Sequence, residues 1–377
     1  MDVICGYSSD TNAEIAVRNA TSSIKNPKMI LFFGLFDMFE ELTAEMAKRF
    51  PNCEIIGAST SVAFQNDMNW DANREGKGIS VTAFGDDFEC TAGILEDVRQ
   101  LTYDDCDHIR ATYDRLGKPE NTVCFEIMNF SETEEDPLEL LNEALKDTGV
   151  YVVGGCAGMI GGDEPKTLLS YNGVVYDKAC VYCFIHNKRG GYRIINGDIL
   201  RPTRRTFIPT DVDVLDRIVY EFDGIPAAKA LADALNISVQ ELAKEIAFHP
   251  IGRVDDGVLN IVQMNEITPE LGVKVLAAVY GFVEMVLLEN DDYEKRMAEL
   301  WSRIKTEAPK AGFAMMVMCD TITKYLKYEN WLEMMGKGFD EVLPKYVGYS
   351  GTGEQRGHFH MNQSIIVLIF EDEGPDV

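Results

Sequence analysis

The sequence predicts a mixed α/β fold, built from repeated helix, strand, helix, strand and hairpin units that form mixed sheets covered by helices. Three observations predict it. A short apolar strand runs into a turn of glycine and small residues at 53–61 (CEIIGASTS), 150–158 (VYVVGGCAG) and 345–353 (KYVGYSGTG). The opening glycines, Gly57, Gly154 and Gly348, lie 97 and 194 residues apart, so the spacing suggests a fixed internal period. An apolar run and then a helical stripe precede each turn, which is the pattern of a βαβ unit with two parallel strands.

The elements follow in chain order. A helix is expected over 12–24 and a strand over 29–33, then a stripe of Phe39, Leu42, Met46 and Phe50 on one helical face. Beyond Gly57 comes a polar loop, 65–77. A strand over 78–84 then turns at Gly85-Asp86-Asp87 into an expected hairpin partner, 88–95. The second unit repeats this with a helix over 103–116, a strand over 123–128, the stripe Leu138, Leu141 and Leu145, and the Gly154 turn. Past Gly161 and Gly162, Asn172-Gly173 separates two apolar runs, a strong hairpin signal because both residues accept positive φ. Strands over 179–185 and 192–195 are expected to continue the meander.

Residues 197–212 break the periodicity and concentrate Arg201, Arg204 and Arg205, suggesting a boundary. Two domains are expected, 1–210 and 211–377. In the second, a strand over 217–222 leads to a helix opened by Pro226, and Ser238 with Glu241 forms a capping box for another. The period calls for a degenerate fourth copy near 251, where HPIGRVD stands at 249–255. The last unit has a helix over 291–308, a strand over 314–318, the stripe Trp331, Met335, Phe339 and Val342, the Gly348 turn, and a buried strand over 365–370.

Composition narrows the function. The 377 residues are 46% hydrophobic, enough for large cores, and carry a formal net charge of −27. That charge argues against nucleic acid and against anionic membranes as partners, since both need a basic face. Nine scattered cysteines, several within apolar strands, suit a reducing compartment. The N-terminus lacks the order of a signal peptide and no apolar run reaches the ~18–20 residues of a membrane span, so a cytoplasmic location is expected.

Polar chemistry concentrates at 354–363 (EQRGHFHMNQ), between a glycine turn and an apolar strand. On one extended strand His360, Asn362 and Ser364 would share a face. A carboxylate, an imidazole and amides there suit recognition of an amino acid or an amide. The same residues also suit a turn network in which amide side chains satisfy loop backbone. Gly154-Gly155-Cys156-Ala157-Gly158 contains G-x-C-x-G, but a nucleophile elbow needs a helix directly after it, and a hairpin is expected instead. No catalytic residue is therefore assigned. His358-Phe359-His360 offers two metal ligands without an evident third, so no metal or other cofactor is expected. Cys180 and Cys183, three apart on a strand, face opposite sides and cannot grip one ion.

The order of these pieces resembles the FIST sensory domain family over nearly the whole chain. The FIST N signatures are Gly57-Ala58-Ser59-Thr60-Ser61 and Gly154-Gly155-Cys156-Ala157-Gly158, the latter followed by Asn172-Gly173. Those of FIST C are Asp223-Gly224-Ile225-Pro226-Ala227 and Gly353-Glu354, with Phe359-His360-Met361-Asn362-Gln363-Ser364 after it. The resemblance implies a sensory module of signal transduction that binds a small molecule such as an amino acid and acts through a partner protein. Gly154, Gly155, Cys156, Gly158, Gly353, Glu354, His360, Asn362 and Gln363 are the expected ligand-binding residues. An amidohydrolase dependent on Cys or Glu, or an interaction scaffold, are the alternatives.

Overall fold

The apolar runs become the central strands of three sheets, each holding one glycine turn. The computed structural model describes all residues except 67–77, 118–119, 132, 160–165, 256 and 375–377. Most of the polar loop 65–77, together with Gly161 and Gly162, lies outside the described residues. In the first sheet Met29–Leu35 runs parallel to Glu54–Thr60. In the second, Thr122–Met128 runs parallel to Tyr151–Cys156, and in the third Ala311–Cys319 runs parallel to Tyr346–Gly351. Each leading strand then takes an antiparallel neighbour: Ile79–Phe84, Cys180–Asn187 and Ile365–Glu371 respectively. Next to these lie Val3–Ser8, Phe88–Leu95 and Tyr192–Gly197. The three sheets therefore share one strand order, and the fold is mixed α/β, as the periodicity predicts.

Two hairpin expectations are corrected. Phe88–Leu95 follows Ile79–Phe84 across a tight turn but pairs with Cys180–Asn187 in the second sheet. Tyr192–Gly197 likewise leaves the second sheet and pairs with Ile365–Glu371 in the third. The short turn at Gly85-Asp86-Asp87 misleads here, because the strand after it bonds into another sheet and not to its predecessor. The first residue is tied to the segment after the last strand: the Met1 amine lies 3.0 Å from the Asp372 carboxylate.

The outer edge of each glycine strand is filled by a strand from another unit. Ala63–Gln65 of the first unit pairs with Tyr346–Gly351, Glu354–Arg356 of the third with Tyr151–Cys156, and Leu169–Tyr171 of the second with Glu54–Thr60. Leu169–Tyr171 is one arm of the Asn172-Gly173 hairpin, whose turn has φ of 50° and 87°. Backbone bonds seal this exchange where the turns meet. The Gly158 amide donates to Ser59 O, the Ser350 amide to Val62 O and the Cys156 amide to Gly353 O, each at 2.8 Å. The approach leaves no room for side chains: a Cβ on Gly158 would sit 2.4 Å from the Ser350 carbonyl oxygen.

The inner faces of the three sheets meet in one core that includes Phe33, Phe125, Val153, Val317, Tyr349 and Phe370. Each outer face is covered by its own helices. Ala13–Ala20 and Phe39–Arg49 cover the first, and Tyr103–Asp114 and Glu135–Leu145 the second. Tyr293–Glu307, Asp320–Tyr328 and Leu332–Val342 cover the third. Cys180 faces the helices and Cys183 the central core. Among the described residues, no helix is long and apolar enough to cross a membrane.

Residues 200–290 form a separate layer. The basic stretch read as a boundary is part of the strand Leu200–Phe207, which pairs with Met285–Asn290. The fourth copy is corrected: Ile251–Asp255 runs antiparallel to both Val258–Val262 and Met285–Asn290. Two helices, Ala227–Leu235 and Val239–Glu245, precede it, but the strand before them, Ile218–Phe222, lies in another sheet between Pro209–Asp213 and Val273–Val275, so no parallel leading strand stands beside it. Ser238 and Glu241 form the expected capping box.

Candidate functional site

On the outer faces the three units part ways. Across the parallel pair, Gly57 stands beside Phe32, Gly154 beside Glu126, and Gly348 beside Met316. Across the exchanged strand the partners are Ser170, Gln355 and Phe64. Two residues on come Ser59, Cys156 and Ser350. The glycine lets its neighbour fold over it, since a Cβ on Gly57 would meet the Phe32 ring at 2.3 Å and one on Gly154 would meet Glu126 Oε1 at 2.5 Å. Only the second unit places Glu, Cys and Gln together on this face. All three are fully buried.

More polar groups join them from other segments. The strand Glu354–Arg356 forms a hairpin with Phe359–Met361, so His360 stands opposite Gln355. Gln355 Nε2 lies 2.7 Å from His360 Nδ1 and donates to Cys156 Sγ at 3.3 Å. Glu134, just before the helix Glu135–Leu145, accepts from the Ser131 amide and from Arg217, each at 2.6 Å. Arg217 also pairs with Glu135, which accepts from the Ala278 amide at 2.7 Å. Arg217 is 4% exposed and holds φ of 52°, so the turn before its strand aims the guanidinium inward. Sγ of Cys156, a ring nitrogen of His360 and a carboxylate oxygen of Glu134 lie within 4.8 Å of one another. Glu126 Oε1, Gln355 Oε1 and His360 Nε2 are buried without a hydrogen bond.

Burial sets the charge states. It pushes the Cys156 thiol well up, and the nearby Glu134 carboxylate adds to this. Cys156 therefore rests as a neutral thiol, which fits the absence of helix at 157–159 and opposes a free nucleophile. Burial raises Glu126 well above the carboxylate range, against a weak bond from Cys180. The imidazole of His360 is lowered by burial, only partly opposed by Glu134 and Glu135, so its neutral form is favoured. Burial also raises Glu135, while Arg217 and the Ala278 amide lower it; His360 would add to the lowering only in its protonated form.

A cleft of about 450 Å³, counting its open mouth, reaches this group from outside. Its lining includes His360, Phe359, Glu135, Arg253, Asn260 and Tyr280. The inserted layer forms the far wall. There the Arg253 guanidinium packs 5.0 Å from the Phe359 ring centroid and pairs with Asp255. The cleft therefore gathers a cation, an acid and an imidazole around one narrow opening.

The residues expected from sequence divide. His360 lines the cleft and Cys156 lies behind it. Gly154 and Gly155 pair with the strand Glu354–Arg356, and Gly158 sits where the turns meet. Gly353 packs on the His360 ring: a Cβ there would meet Cε1 at 2.3 Å. Glu354 occupies the opposite face of the hairpin. Its Oε2 accepts from the Ser364 amide and hydroxyl, and burial, against those bonds, raises it to about 8. The shared face expected for His360, Asn362 and Ser364 does not form, because Gln363 takes φ of 49° and breaks the alternation. Asn362 instead accepts from the Gln263 amide, and Gln363 donates to the Ala247 carbonyl. His358 faces Glu139 at the surface, 3.1 Å away.

Sequence reasoning missed Glu134, Glu135, Arg217, Arg253 and Gln355. One signal was available. Glu126 interrupts an apolar run, VCFEIM, whose counterparts MILFF and AMMVM hold no charge.

Residues 28–225, more than half of the chain, match the model of the FIST N domain. No curated protein matches the chain.

Proposed function

We propose, from the premise that the chain belongs to the FIST family, a family of sensory domains associated with signal transduction, that it is a cytoplasmic module whose cleft binds a small metabolite of the amino-acid class and whose occupancy is read by a partner protein. The observation that carries this reading is the placement of opposite charges across one cleft: Arg253 on Phe359 at one wall, Glu135 at the other and neutral His360 between them. A ligand carboxylate suits Arg253, and a ligand amine suits Glu135. His360 can donate to or accept from a polar side chain.

A thermal-shift screen of amino acids and related metabolites, followed by calorimetry, tests it. A ligand at 100 times its Kd stabilises by about 2.7 kcal/mol. Arg253→Ala is expected to weaken a carboxylate ligand by roughly 1.5–3 kcal/mol, the scale of a charge-assisted bond. A carboxylate hit that binds wild type and Arg253→Ala equally would remove the cleft from this account.

A further inference from the structure

We infer that Cys156, His360 and Glu134 form a binding site for one divalent cation of the zinc class, at the inner end of the cleft. This goes beyond the metabolite reading and does not depend on it. The three donors come from segments far apart in the chain, so no spacing motif announces them. The fold brings Sγ, a ring nitrogen and a carboxylate oxygen within 4.8 Å of one another.

The chemistry of the set suits zinc. Thiolate, imidazole and carboxylate are its usual protein ligands, and three of them plus an open position is the arrangement of sites that also take an exogenous ligand. With metal bonds of about 2.0–2.3 Å, tetrahedral donors stand roughly 3.3–3.7 Å apart. The cluster needs to draw in by at most about 1.5 Å to reach this geometry.

Two further observations point to a ligand. His360 is 6% exposed, and its Nε2 makes no hydrogen bond of good geometry, although the Leu276 backbone lies close enough to the ring to favour its protonated form. Gln355 Oε1, beside it on the facing strand, is also buried and unpartnered. Buried polar atoms are normally satisfied, so their coincidence at one cluster of three metal-ligating side chains needs an explanation. Turned over about its amide, Gln355 would present Oε1 to the Nδ1–H of His360, the outer acceptor that orients a metal-bound histidine.

Charge favours the cation despite Arg217. Glu134 and Glu135 outweigh the one guanidinium, and ionisation of Cys156 leaves two net negative charges, which a divalent ion neutralises. Binding forms the metal–sulfur bond and sends the thiol proton to solvent, because the thiolate is the ligand. Each Glu134 oxygen makes one hydrogen bond and keeps a second lone pair for a metal.

The test uses the full-length chain, stripped of metal and titrated with Zn²⁺ against a chromophoric chelator and with Co²⁺ by absorption. Wild type is expected to take one equivalent and to show a thiolate-to-Co²⁺ charge-transfer band. Cys156→Ser and His360→Gln should lose the band and weaken Zn²⁺ by more than about 100-fold, beyond the 10–100-fold that loss of an outer partner costs. Cys53→Ser, in the first unit, should match wild type. X-ray absorption of the zinc-loaded wild type should find one sulfur and one imidazole donor, which keeps the test open if a variant does not fold. Uptake of no stoichiometric metal, sulfur-free coordination, or unaltered affinity in folded Cys156→Ser would overturn the inference.

Discussion

The first and second units share a strand order and differ in what they bury outside the glycine turn. In the first, Phe32 stacks on Phe39 of its helix with ring centroids 5.7 Å apart. In the second, the places beside the glycine and at the start of the helix are taken by Glu126, Glu134 and Glu135, with Arg217 brought in from the inserted layer. The architecture tolerates an apolar filling at this place, as the first unit and Met316 of the third demonstrate. The acids of the second unit are therefore not needed to build the fold. Unpartnered buried polar atoms also occur on the first face (Ser170 Oγ, Thr43 Oγ1) and the third (Trp301 Nε1), but among the described residues only the second face sets a carboxylate, an amide and an imidazole together beside its glycine.

The comparison breaks most sharply by transplanting the acid. Phe32→Glu places a carboxylate among Phe39, Leu42 and other apolar side chains with no counterpart of Arg217. It is expected to destabilise by more than about 4–5 kcal/mol, the range reserved for unpaired buried charge combined with lost packing. Urea unfolding followed by circular dichroism reads this. A loss below about 2 kcal/mol would mean that the first unit accepts polar groups as readily as the second.

Within the second unit, Arg217→Met strands Glu134 without its cation and should cost about 3–5 kcal/mol. Adding Glu134→Gln should restore a large part of this, because the buried charge is gone. A double mutant no more stable than the single one would show that Arg217 acts by packing alone.

Glu354 and Glu126 both supply a pH dependence of the same sign, and Glu354 is the one whose window is defined. Its folded carboxyl is raised to about 8, so the fold holds a proton that the unfolded chain releases near pH 4.3. Its contribution is fully present below about pH 4.3 and is lost as pH rises towards 8, at up to about 1.4 kcal/mol per unit. Glu354→Gln keeps the neutral form and should flatten that part of the stability profile. An unchanged slope from pH 5 to 8 would place the titrating group elsewhere.

The gentlest change goes the other way. Glu126→Met copies the third unit and should stabilise the chain by roughly 1–3 kcal/mol, since it removes an unsatisfied buried group. Destabilisation would mean that Glu126 has a structural partner in the working protein.

The glycine turns, the parallel pairs and most helices were legible because period and apolar spacing are local properties. The swapped strands were not, because pairing across units leaves no mark in the spacing: Phe88–Leu95 looks the same whichever sheet it joins. For the same reason His360 and Cys156 could be selected as polar groups beside glycine turns, while their meeting with Glu134 and Arg217 could not. Those residues reach the site through the exchange of Glu354–Arg356 and through the inserted layer. Asn362 and Gln363 were drawn in by proximity in the chain, and one left-handed residue sent them to the insert's backbone.

Hydrogen–deuterium exchange of the full chain, with and without the best metabolite of the screen, tests the central claim that one of three equivalent faces carries the function. Protection is expected at the hairpin of Glu354–Arg356 and Phe359–Met361, at Ile251–Asp255 and around Ala278 to Tyr280. The corresponding strands Leu169–Tyr171 and Ala63–Gln65 should stay unchanged. Equal protection at all three exchanged strands, or protection only outside the second unit's face, would contradict the account.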